Sequence, residues 1–514
     1  MNKTIIIIGA GLAGLSAALQ AAENGCNVKL VSSFPSERAQ SVMAEGGINA
    51  ALNTKDENDS PEEHFTDTIK AACGLADPNA VWGMTQAAPE LVHWLLKLGV
   101  KFNMSGYDDV DLRNFGGQKK KRTAFAQSDT GKQIMTAMID AVRRKEASGM
   151  VERFSHHSFL TLRLCGNICC GCVIRDEYSQ ETVELPGDAV IVATGGMHGL
   201  FGNTTGSLSN TGEVTAELFR LGVPLANGEM IQYHPTTVKC GGKRMLISEA
   251  ARGEGGRLFA TKDGKRWYFM EEKYPELGNL MPRDITAREI WKVSHESEVF
   301  LDMTEISEEI ISNKLSGLAD DCMTYLHKDI RKEPVSVLPG IHYFMGGILV
   351  DEQHRTPIQN LYAAGECCAQ YHGANRLGGN SLLGALYGGR VAAKSACEQA
   401  DVVDLSCATQ IDFPPASQIS EIKQLNKVMQ ETMGVVRNEN TLLNGIQTVQ
   451  ALTGNLPLLG MAVLKSALAR KESRGAHWRE DYPKSNDDDY LKTTVARFDG
   501  KQIQISFVPV PERR

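Results

Sequence analysis

The chain has 514 residues, of which 42% are hydrophobic and 23% are charged, and its formal net charge is −8 at pH 7. These values are typical of a folded globular protein and, at about 150 residues per domain, predict about three domains. The acidic balance argues against sequence-independent nucleic-acid binding, which depends on basic surface.

The first residues carry a nucleotide-binding pattern. An apolar strand is predicted over residues 4–8, and Gly9, Gly11 and Gly14 then open a predicted helix. In this context Gly9 makes the tight turn, Gly11 lets a pyrophosphate approach the backbone, and Gly14 lets the helix pack on the strand. The helix N-terminus adds partial positive charge for the phosphates. A second strand over residues 28–31 completes a β-α-β unit.

The acidic residue that binds a ribose about 20 residues beyond such a loop is missing. Ser32 and Ser33 follow the second predicted strand instead. Because a serine hydroxyl can still hydrogen-bond a ribose, the pattern supports a dinucleotide but does not separate NAD, NADP and FAD.

Two later segments are predicted to complete the same parallel sheet. Residues 188–196 and 360–366 are apolar runs that end in small residues and glycine, as do strands buried on both faces. Their separation predicts an inserted α+β domain, roughly at residues 229–342.

Beyond residue 401, helices are predicted over residues 417–432 and 444–451, followed by an arginine-rich stretch and a short polar tail. P-loop, nucleophile-elbow and His-Glu-x-x-His patterns are absent, which argues against kinase, serine-hydrolase and zinc-protease functions. The cysteines lack the paired spacing of a zinc site, so no metal site is predicted. No run of about 18 apolar residues predicts a membrane span. We expect a cytoplasmic protein that associates with a membrane only through partner subunits.

Four further segments concentrate polar side chains that include histidines and arginines. Arginine presents a planar fork to carboxylates, so two histidines and two arginines brought together would suit a small dicarboxylate. Taken singly, His234 is more often a structural histidine, Arg283 a salt-bridge partner, and Glu249 with Arg252 a helix ion pair. Their co-occurrence favours a site. The segments are residues 232–237, residues 248–256, residues 281–288, and residues 342–347 together with 372–382.

Several long motifs run through the chain. They lie at residues 9–14, 44–51, 115–118, 193–196, 232–236, 249–256, 282–284, 342–347, 372–383 and 472–481. With these motifs, nearly the whole chain resembles the flavoprotein subunit of the succinate dehydrogenase / fumarate reductase family, which also includes L-aspartate oxidase.

The resemblance implies an α/β fold with three parts. A Rossmann-like FAD-binding domain would comprise residues 1–228 and 343–400, and an α+β capping domain at residues 229–342 would be inserted into it. A C-terminal helical domain would follow at residues 401–514. The substrate would lie between the cap and the flavin.

The resemblance also implies a reaction. Four side chains would hold the two substrate carboxylates, namely His234, Ser248, His342 and Arg376. Phe115 would border the substrate. Arg283 would donate or accept the proton, with Glu249 and Arg252 as its relay to solvent. In fumarate reduction, flavin N5 would deliver hydride to one alkene carbon while Arg283 protonates the other.

For FAD, the resemblance implies contacts from glycine loops, hydroxyls and two acids. They are Gly9, Ala10, Gly11, Gly14, Ser32, Ser33, Ser41, Ala44, Gly46, Gly47, Thr194, Gly195, Glu213, Glu366, Ser381 and Leu382. Glu213 stands where the family usually has aspartate, which weakens the expectation for that contact.

One departure from the family concerns how FAD is held. Many members attach FAD covalently to a histidine, and Gln40 takes that position in residues 39–47. Because an amide cannot form that bond, we expect non-covalent FAD. The family associates the covalent link with succinate oxidation, so its absence favours fumarate reduction.

Other functions stay open. L-aspartate oxidase also lacks covalent FAD, but that family tends to carry an acid where this chain has Phe115. A reductase of another unsaturated acid, or a redox-inactive subunit of a larger complex, are further alternatives. Residues 474–479 resemble the face that relatives offer to an iron–sulfur subunit. We therefore expect an iron–sulfur electron-transfer partner, or else a soluble reduced flavin, as the electron donor.

Overall fold

The fold is seen in a computed structural model that describes residues 2–106, 109–401, 413 and 418–514. The strands, numbered in chain order, are β1 (Thr4–Ile8), β2 (Asn27–Ser32), β3 (Ile48–Asn49), β4 (Leu112–Arg113), β5 (Thr123–Ala124), β6 (Val151–Ser155), β7 (His157–Cys165), β8 (Ile168–Asp176), β9 (Thr182–Pro186), β10 (Ala189–Val192), β11 (Leu225–Ala226), β12 (Ile231–Cys240), β13 (Lys243–Leu246), β14 (Arg257–Lys262), β15 (Lys265–Trp267), β16 (Val299–Asp302), β17 (Val335–Ser336), β18 (Leu338–Phe344), β19 (Gly347–Leu349), β20 (Leu361–Ala363), β21 (Cys368–Ala369), β22 (Lys492–Phe498) and β23 (Ile503–Pro509).

The helices are α1 (Leu12–Glu23), α2 (Pro61–Ala71), α3 (Pro78–Lys97), α4 (Thr130–Ala147), α5 (Glu213–Arg220), α6 (Glu249–Gly253), α7 (Phe269–Lys273), α8 (Arg283–Val293), α9 (Glu308–Lys314), α10 (Ser316–Asp321), α11 (Asn380–Gln399), α12 (Ile419–Thr432), α13 (Glu439–Val449), α14 (Asn455–Ala469) and α15 (Asp487–Tyr490).

A parallel sheet in the order β20-β10-β1-β2-β6 forms the nucleotide-binding half. Both faces of β1 are covered, which explains its unbroken run of isoleucines. Ile5 and Ile7 pack among residues of α1, α4 and α11. Ile6 and Ile8 face the antiparallel sheet β7-β8-β9. The predicted β-α-β unit and the Rossmann-like fold class are confirmed.

The region predicted as an inserted domain mixes antiparallel strands and short helices. One sheet has the order β13-β12-β18 and a second has the order β15-β14-β16-β17. The second sheet shares an apolar core with α6, α7, α8 and α10. The segment therefore has α+β character, and the domain boundaries themselves stay predictions.

The C-terminal part begins with helices. α12, α13 and α14 share one apolar core through Leu425, Leu442 and Leu459. The first residue of the helix predicted over 417–432, Ser417, lies outside the described residues, and α12 begins at Ile419.

The prediction of a short polar tail after the arginine-rich stretch is wrong. Residues there form the antiparallel hairpin β22-β23, which extends a sheet in the order β21-β19-β11-β22-β23. Val495 and Ala496 of β22 are buried because they pair with β11. The hairpin therefore ties the end of the chain to the segment that precedes β12.

Within the described residues, the helices are all too short or too polar to cross a bilayer.

Candidate active site

The loop after β1 needs glycine at two positions. Gly9 has a φ of +110°, and a Cβ there would clash with the carbonyl oxygen of Ala193. A Cβ on Gly14 would clash with the carbonyl oxygen of Gly9. Gly11 is the N-cap of α1 and has no side chain to bond the first N–H groups of the helix. The helix therefore begins as an anion-binding end suited to a pyrophosphate.

A cavity of about 1110 Å³ runs from this loop to the sheet β13-β12-β18. Every predicted FAD contact except Gly14 lines it: Gly9, Ala10, Gly11, Ser32, Ser33, Ser41, Ala44, Gly46, Gly47, Thr194, Gly195, Glu213, Glu366, Ser381 and Leu382. Gly14 packs α1 against the loop instead. The volume exceeds that of ordinary small-ligand pockets and leaves room for a dinucleotide with a small acid beside it. The residues present therefore fit FAD.

The segment over residues 44–47 is held from behind by an arginine that the sequence did not single out. Arg113 is buried, and its Nη2 donates to the carbonyl oxygens of Gly46 at 2.6 Å and Glu45 at 3.0 Å. Its guanidinium carbon lies 4.2 Å from the ring centroid of Phe125. Arg113 thus fixes the backbone that lines the predicted flavin side of the cavity.

Glu45 is a second residue that the sequence analysis missed. Its carboxyl lines the cavity, and one of its oxygens, Oε2, is buried without a hydrogen-bond partner. Burial, with Asp321 nearby, raises the pKa of this carboxyl to about 8. The sequence could have indicated Glu45, because an acid lies there between Ala44 and Gly46, small residues that offer no side-chain partner to a buried charge.

Gln40, the residue at the position of the linking histidine, begins a short 3₁₀ helix at Gln40–Met43 and lines the same cavity.

The five predicted substrate-binding residues come together at the other end of the cavity. They are Phe115, His234, Ser248, His342 and Arg376, all of which line it. The ring centroids of His234 and His342 lie 5.1 Å apart. The pairing of β12 with β18 is irregular next to both histidines, and such bulges re-aim side chains towards a site.

Both histidines are neutral in this setting. Burial, and then the nearby Arg283, hold the pKa of His234 and of His342 well below the ordinary value. The Oγ1 of Thr205 lies 2.8 Å from Nδ1 of His342, and the backbone N–H of Thr236 donates to Nδ1 of His234 at 3.3 Å. Nε2 of each ring has no hydrogen-bond partner among the described residues, and in the tautomer with its proton on Nε2 each ring can donate to a ligand.

Arg376 is a buried cation without an ion pair in the described part of the chain. It is 3% exposed, and its Nε has no hydrogen-bond partner. Its guanidinium carbon lies 4.4 Å from the ring centroid of Tyr343. Burial, together with Arg283, lowers the pKa of Arg376 to about 9. Because a buried charge normally has a partner, Arg376 is suited to an anionic ligand.

Arg283 is the first residue of α8 and is tied to one carboxylate. Its Nη2 and Nε donate to Oε2 of Glu249 at 2.6 and 2.8 Å. Oε1 of Glu249 accepts from Nη2 of Arg252 at 3.2 Å. Burial opposes the charge, but Arg283 and Arg252 outweigh it and hold the pKa of Glu249 below its ordinary value.

The predicted relay therefore has continuous hydrogen bonds from Arg283 through Glu249 to Arg252. Arg283 and Glu249 line the cavity, whereas Arg252 lies behind them and donates to the carbonyl oxygen of Asn279 at 2.6 Å. This arrangement can hold a proton donor, Arg283, beside a small anion in the cavity. Glu249 and Arg252 can pass protons between Arg283 and the region behind the cavity.

The arginines of residues 474–479 do not form an exposed face. Arg479 is fully buried and binds Asp481, and Arg474 is 8% exposed and binds Glu472 and Asp487. These two arginines therefore belong to an internal ion-pair network, while Gly475, Ala476 and Trp478 between them are half-exposed.

Comparisons with known proteins identify the family. Residues 4–382 match the family model described as FAD binding domain, and residues 452–513 match the model described as fumarate reductase flavoprotein C-term. The chain belongs to this flavoprotein family.

Similar proteins extend over almost the whole chain. The succinate dehydrogenase flavoprotein subunit of Bacillus subtilis is 38% identical over 100% of this chain and 98% of its own length. The 8-methylmenaquinol:fumarate reductase flavoprotein subunit of Wolinella succinogenes is 32% identical over 99% of this chain and 92% of its own. The solved structure of FrdA from the E. coli quinol fumarate reductase has a TM-score of 0.90 at 27% identity, with 99% of this chain and 97% of that chain covered.

The predicted resemblance, the enzyme class and the cofactor are thereby confirmed. The chain is a flavoprotein oxidoreductase of the succinate dehydrogenase / fumarate reductase type, and FAD is its cofactor. The residues that line the cavity are the ones available to hold that FAD.

Proposed function

We propose that this flavoenzyme interconverts fumarate and succinate and works mainly as a fumarate reductase. One observation carries the proposal. Arg376 is a buried guanidinium without an ion pair in the described structure, and it shares a cavity with His234 and His342. A dicarboxylate would supply the negative charge that this group of donors lacks. Relatives that are named for succinate dehydrogenase and fumarate reductase support the choice of acid.

The binding step orients the substrate between the histidines and Arg376. During fumarate reduction negative charge builds up on a substrate carboxylate, so donors fixed beside that carboxylate stabilise the transition state more than the ground state. Bound FAD supplies the hydride. Burial of the site excludes water and strengthens these interactions.

Arg283 is the proposed proton donor. A guanidinium is an unusual acid because its pKa is ordinarily above 12. Glu249, whose Oε2 lies 2.6 Å from Nη2 of Arg283, would return the proton after transfer, and Arg252 would continue the path. In succinate oxidation the same groups would accept the proton.

The proposed direction rests on Gln40. Its amide replaces the histidine that links FAD covalently in many relatives, so we infer non-covalent FAD. Acid precipitation tests this directly, since a non-covalent flavin leaves with the supernatant. Yellow colour retained in the washed precipitate would contradict it.

A substrate screen tests the proposed function. Purified enzyme with bound FAD would be assayed with fumarate and an artificial electron donor, and with succinate or L-aspartate and an artificial acceptor. We expect turnover of fumarate and succinate, with fumarate reduction the faster. Turnover of L-aspartate alone would replace the proposal with L-aspartate oxidase, and inactivity with all three acids would favour another unsaturated acid.

An iron–sulfur electron-transfer subunit is the proposed partner. Several relatives carry the name flavoprotein subunit, and the described residues include no group of His, Cys, Asp or Glu side chains placed to hold a metal ion. Copurification from the native source tests this. Isolation of the chain alone, fully active with a soluble reduced flavin, would contradict it.

A further inference from the structure

Arg244 is a half-buried arginine that lines the cavity without belonging to the residues described above. It lies on β13, and its Nε donates to Oγ1 of Thr237 at 2.6 Å. The side chain crosses the sheet and fills the space above Gly340, where a Cβ would lie 2.6 Å from Nε of Arg244. The absence of a side chain at Gly340 therefore makes room for the guanidinium.

In the described part of the chain, no carboxylate balances the charge of Arg244. Among the described residues no carboxylate lies within ion-pair distance of it, and its hydrogen bonds go to a hydroxyl and to the carbonyl oxygen of Leu338. Several other arginines of residues 229–342 are paired, such as Arg257 with Glu271 and Arg331 with Glu308. An unpaired, partly desolvated guanidinium facing a cavity is suited to an anion.

Arg244 lies next to the dicarboxylate site but further out. Gly340, which it covers, is the pairing partner of His234 and precedes His342 by two residues. Arg376 is almost fully buried, whereas Arg244 is half-buried. An acid that enters the cavity from solvent can meet Arg244 before it reaches the inner donors.

We propose that Arg244 is a capture residue, which binds one carboxylate of the incoming dianion at the mouth of the cavity. The dianion then moves on to the inner donors His234, His342 and Arg376. The inference rests on the proposed function. Arg244 acts on association, so it contributes to kcat/KM rather than to kcat, and its contribution falls as salt screens the charge.

The test compares Arg244→Gln with Lys239→Gln. Lys239 is the direct cross-strand partner of Arg244 in the β12-β13 hairpin, is exposed and does not line the cavity. Lys239→Gln therefore removes one positive charge beside Arg244 but outside the cavity. kcat and KM for fumarate would be measured from about 0.01 M to about 0.15 M ionic strength. Arg244→Lys, which keeps the charge, serves as the conservative variant.

We expect Arg244→Gln to lower kcat/KM about tenfold at low ionic strength, with kcat within about twofold of the unchanged enzyme. The salt dependence of kcat/KM should flatten in Arg244→Gln and be kept in Lys239→Gln and Arg244→Lys. An unchanged kcat/KM in Arg244→Gln, or an equal loss in Lys239→Gln, would overturn the inference. If the unchanged enzyme turns over neither fumarate nor succinate, the proposed function fails instead.

If Arg244→Gln does not fold with FAD, Arg244→Met takes its place, because methionine removes the charge and keeps an unbranched side chain over Gly340. The salt dependence of kcat/KM should flatten in Arg244→Met as well. A salt dependence equal to that of the unchanged enzyme would overturn the inference.

Discussion

At the scale of single residues, Arg283 lies between the carboxylate of Glu249 and the donors His234, His342 and Arg376 in one cavity. Glu249 holds it through two hydrogen bonds, and Gln232 accepts a third at 3.1 Å from Nη1. The side chain is therefore fixed in one orientation before any substrate binds.

Replacing Arg283 with alanine tests its proposed role. We expect turnover to fall by at least about a hundredfold, the range for loss of a general acid, with FAD still bound. Arg288→Ala is the matched control, since Arg288 lies on the same helix, packs on Trp478 at 4.0 Å and does not line the cavity. Steady-state rates and the flavin-to-protein ratio measure both variants. Normal turnover in Arg283→Ala would remove it from the reaction.

Glu45→Gln has a predicted effect on stability that depends on pH. The pKa of Glu45 is raised to about 8, above its value in an unfolded chain, so the folded protein binds the extra proton between about pH 5 and 8. Stability is therefore lost as pH rises through this window, by up to roughly 1.4 kcal/mol per pH unit. Glutamine abolishes this loss, so the Tm of Glu45→Gln should rise relative to the unchanged protein from pH 5 to pH 8. A constant Tm difference would contradict the assignment.

Arg113 and Glu45, which were not predicted, show which contacts a single sequence does not reveal. Nη2 of Arg113 binds the carbonyl of Glu45, and the two residues are 68 positions apart. Thr205 and His342 are 137 positions apart. The glycines, histidines and arginines of the site could be predicted because each sits in a local motif. Their supporting partners could not, because packing alone brings them close.

At the scale of elements, the loop between β1 and α1 depends on local backbone geometry. Gly9 has both a positive φ and a carbonyl oxygen, from Ala193, in the space that a Cβ would need. Strand, loop and helix here could be predicted from spacing because these constraints act within a few residues.

Gly9→Ala should therefore displace the loop and weaken FAD binding by more than about tenfold, since a positive φ and a backbone clash both oppose the side chain. Gly25→Ala is the control. Gly25 follows α1, has a φ of +80° and would place its Cβ in open space, so it should cost about 1 kcal/mol and keep FAD. Flavin content after gel filtration measures the difference. Equal flavin content in the two variants would contradict the prediction.

The C-terminal hairpin could have been predicted from the residues of its turn. Asp499 and Gly500 lie between two runs rich in β-branched and aromatic residues, and Gly500 has a φ of +91°. Such a dipeptide between two runs of this kind indicates a hairpin. The pairing of β22 with β11, in contrast, joins distant parts of the chain and follows only from the fold.

At the scale of the whole molecule, a buried ion network joins the start of the capping segment to the C-terminal part. Nε of Arg470 donates to Oε1 of Glu229 at 2.7 Å, and its Nη1 donates to Glu472 at 2.8 Å. Thr494 of β22 also donates to Glu229, at 2.6 Å. All these side chains are buried, so they depend on one another for partners.

Glu229→Gln is expected to lower the free energy of unfolding by about 3 kcal/mol, because it leaves part of a buried charge uncompensated. Arg143→Gln, which removes an exposed pair with Glu37, should cost less than about 1 kcal/mol. Thermal unfolding of both variants at one pH provides the comparison. Equal Tm losses would show that the buried network contributes no more than a surface pair.

The placement of β11 and β22 in one sheet has a consequence for protein synthesis. β11 emerges from the ribosome early, but its partner strand is made only near residue 492, after most of the chain has been translated. Until then the edge of β11 is unpaired, and unpaired edges promote association with other chains. We therefore expect slower translation of the segment between β11 and β22 to lower the yield of folded enzyme without changing any contact in the finished molecule.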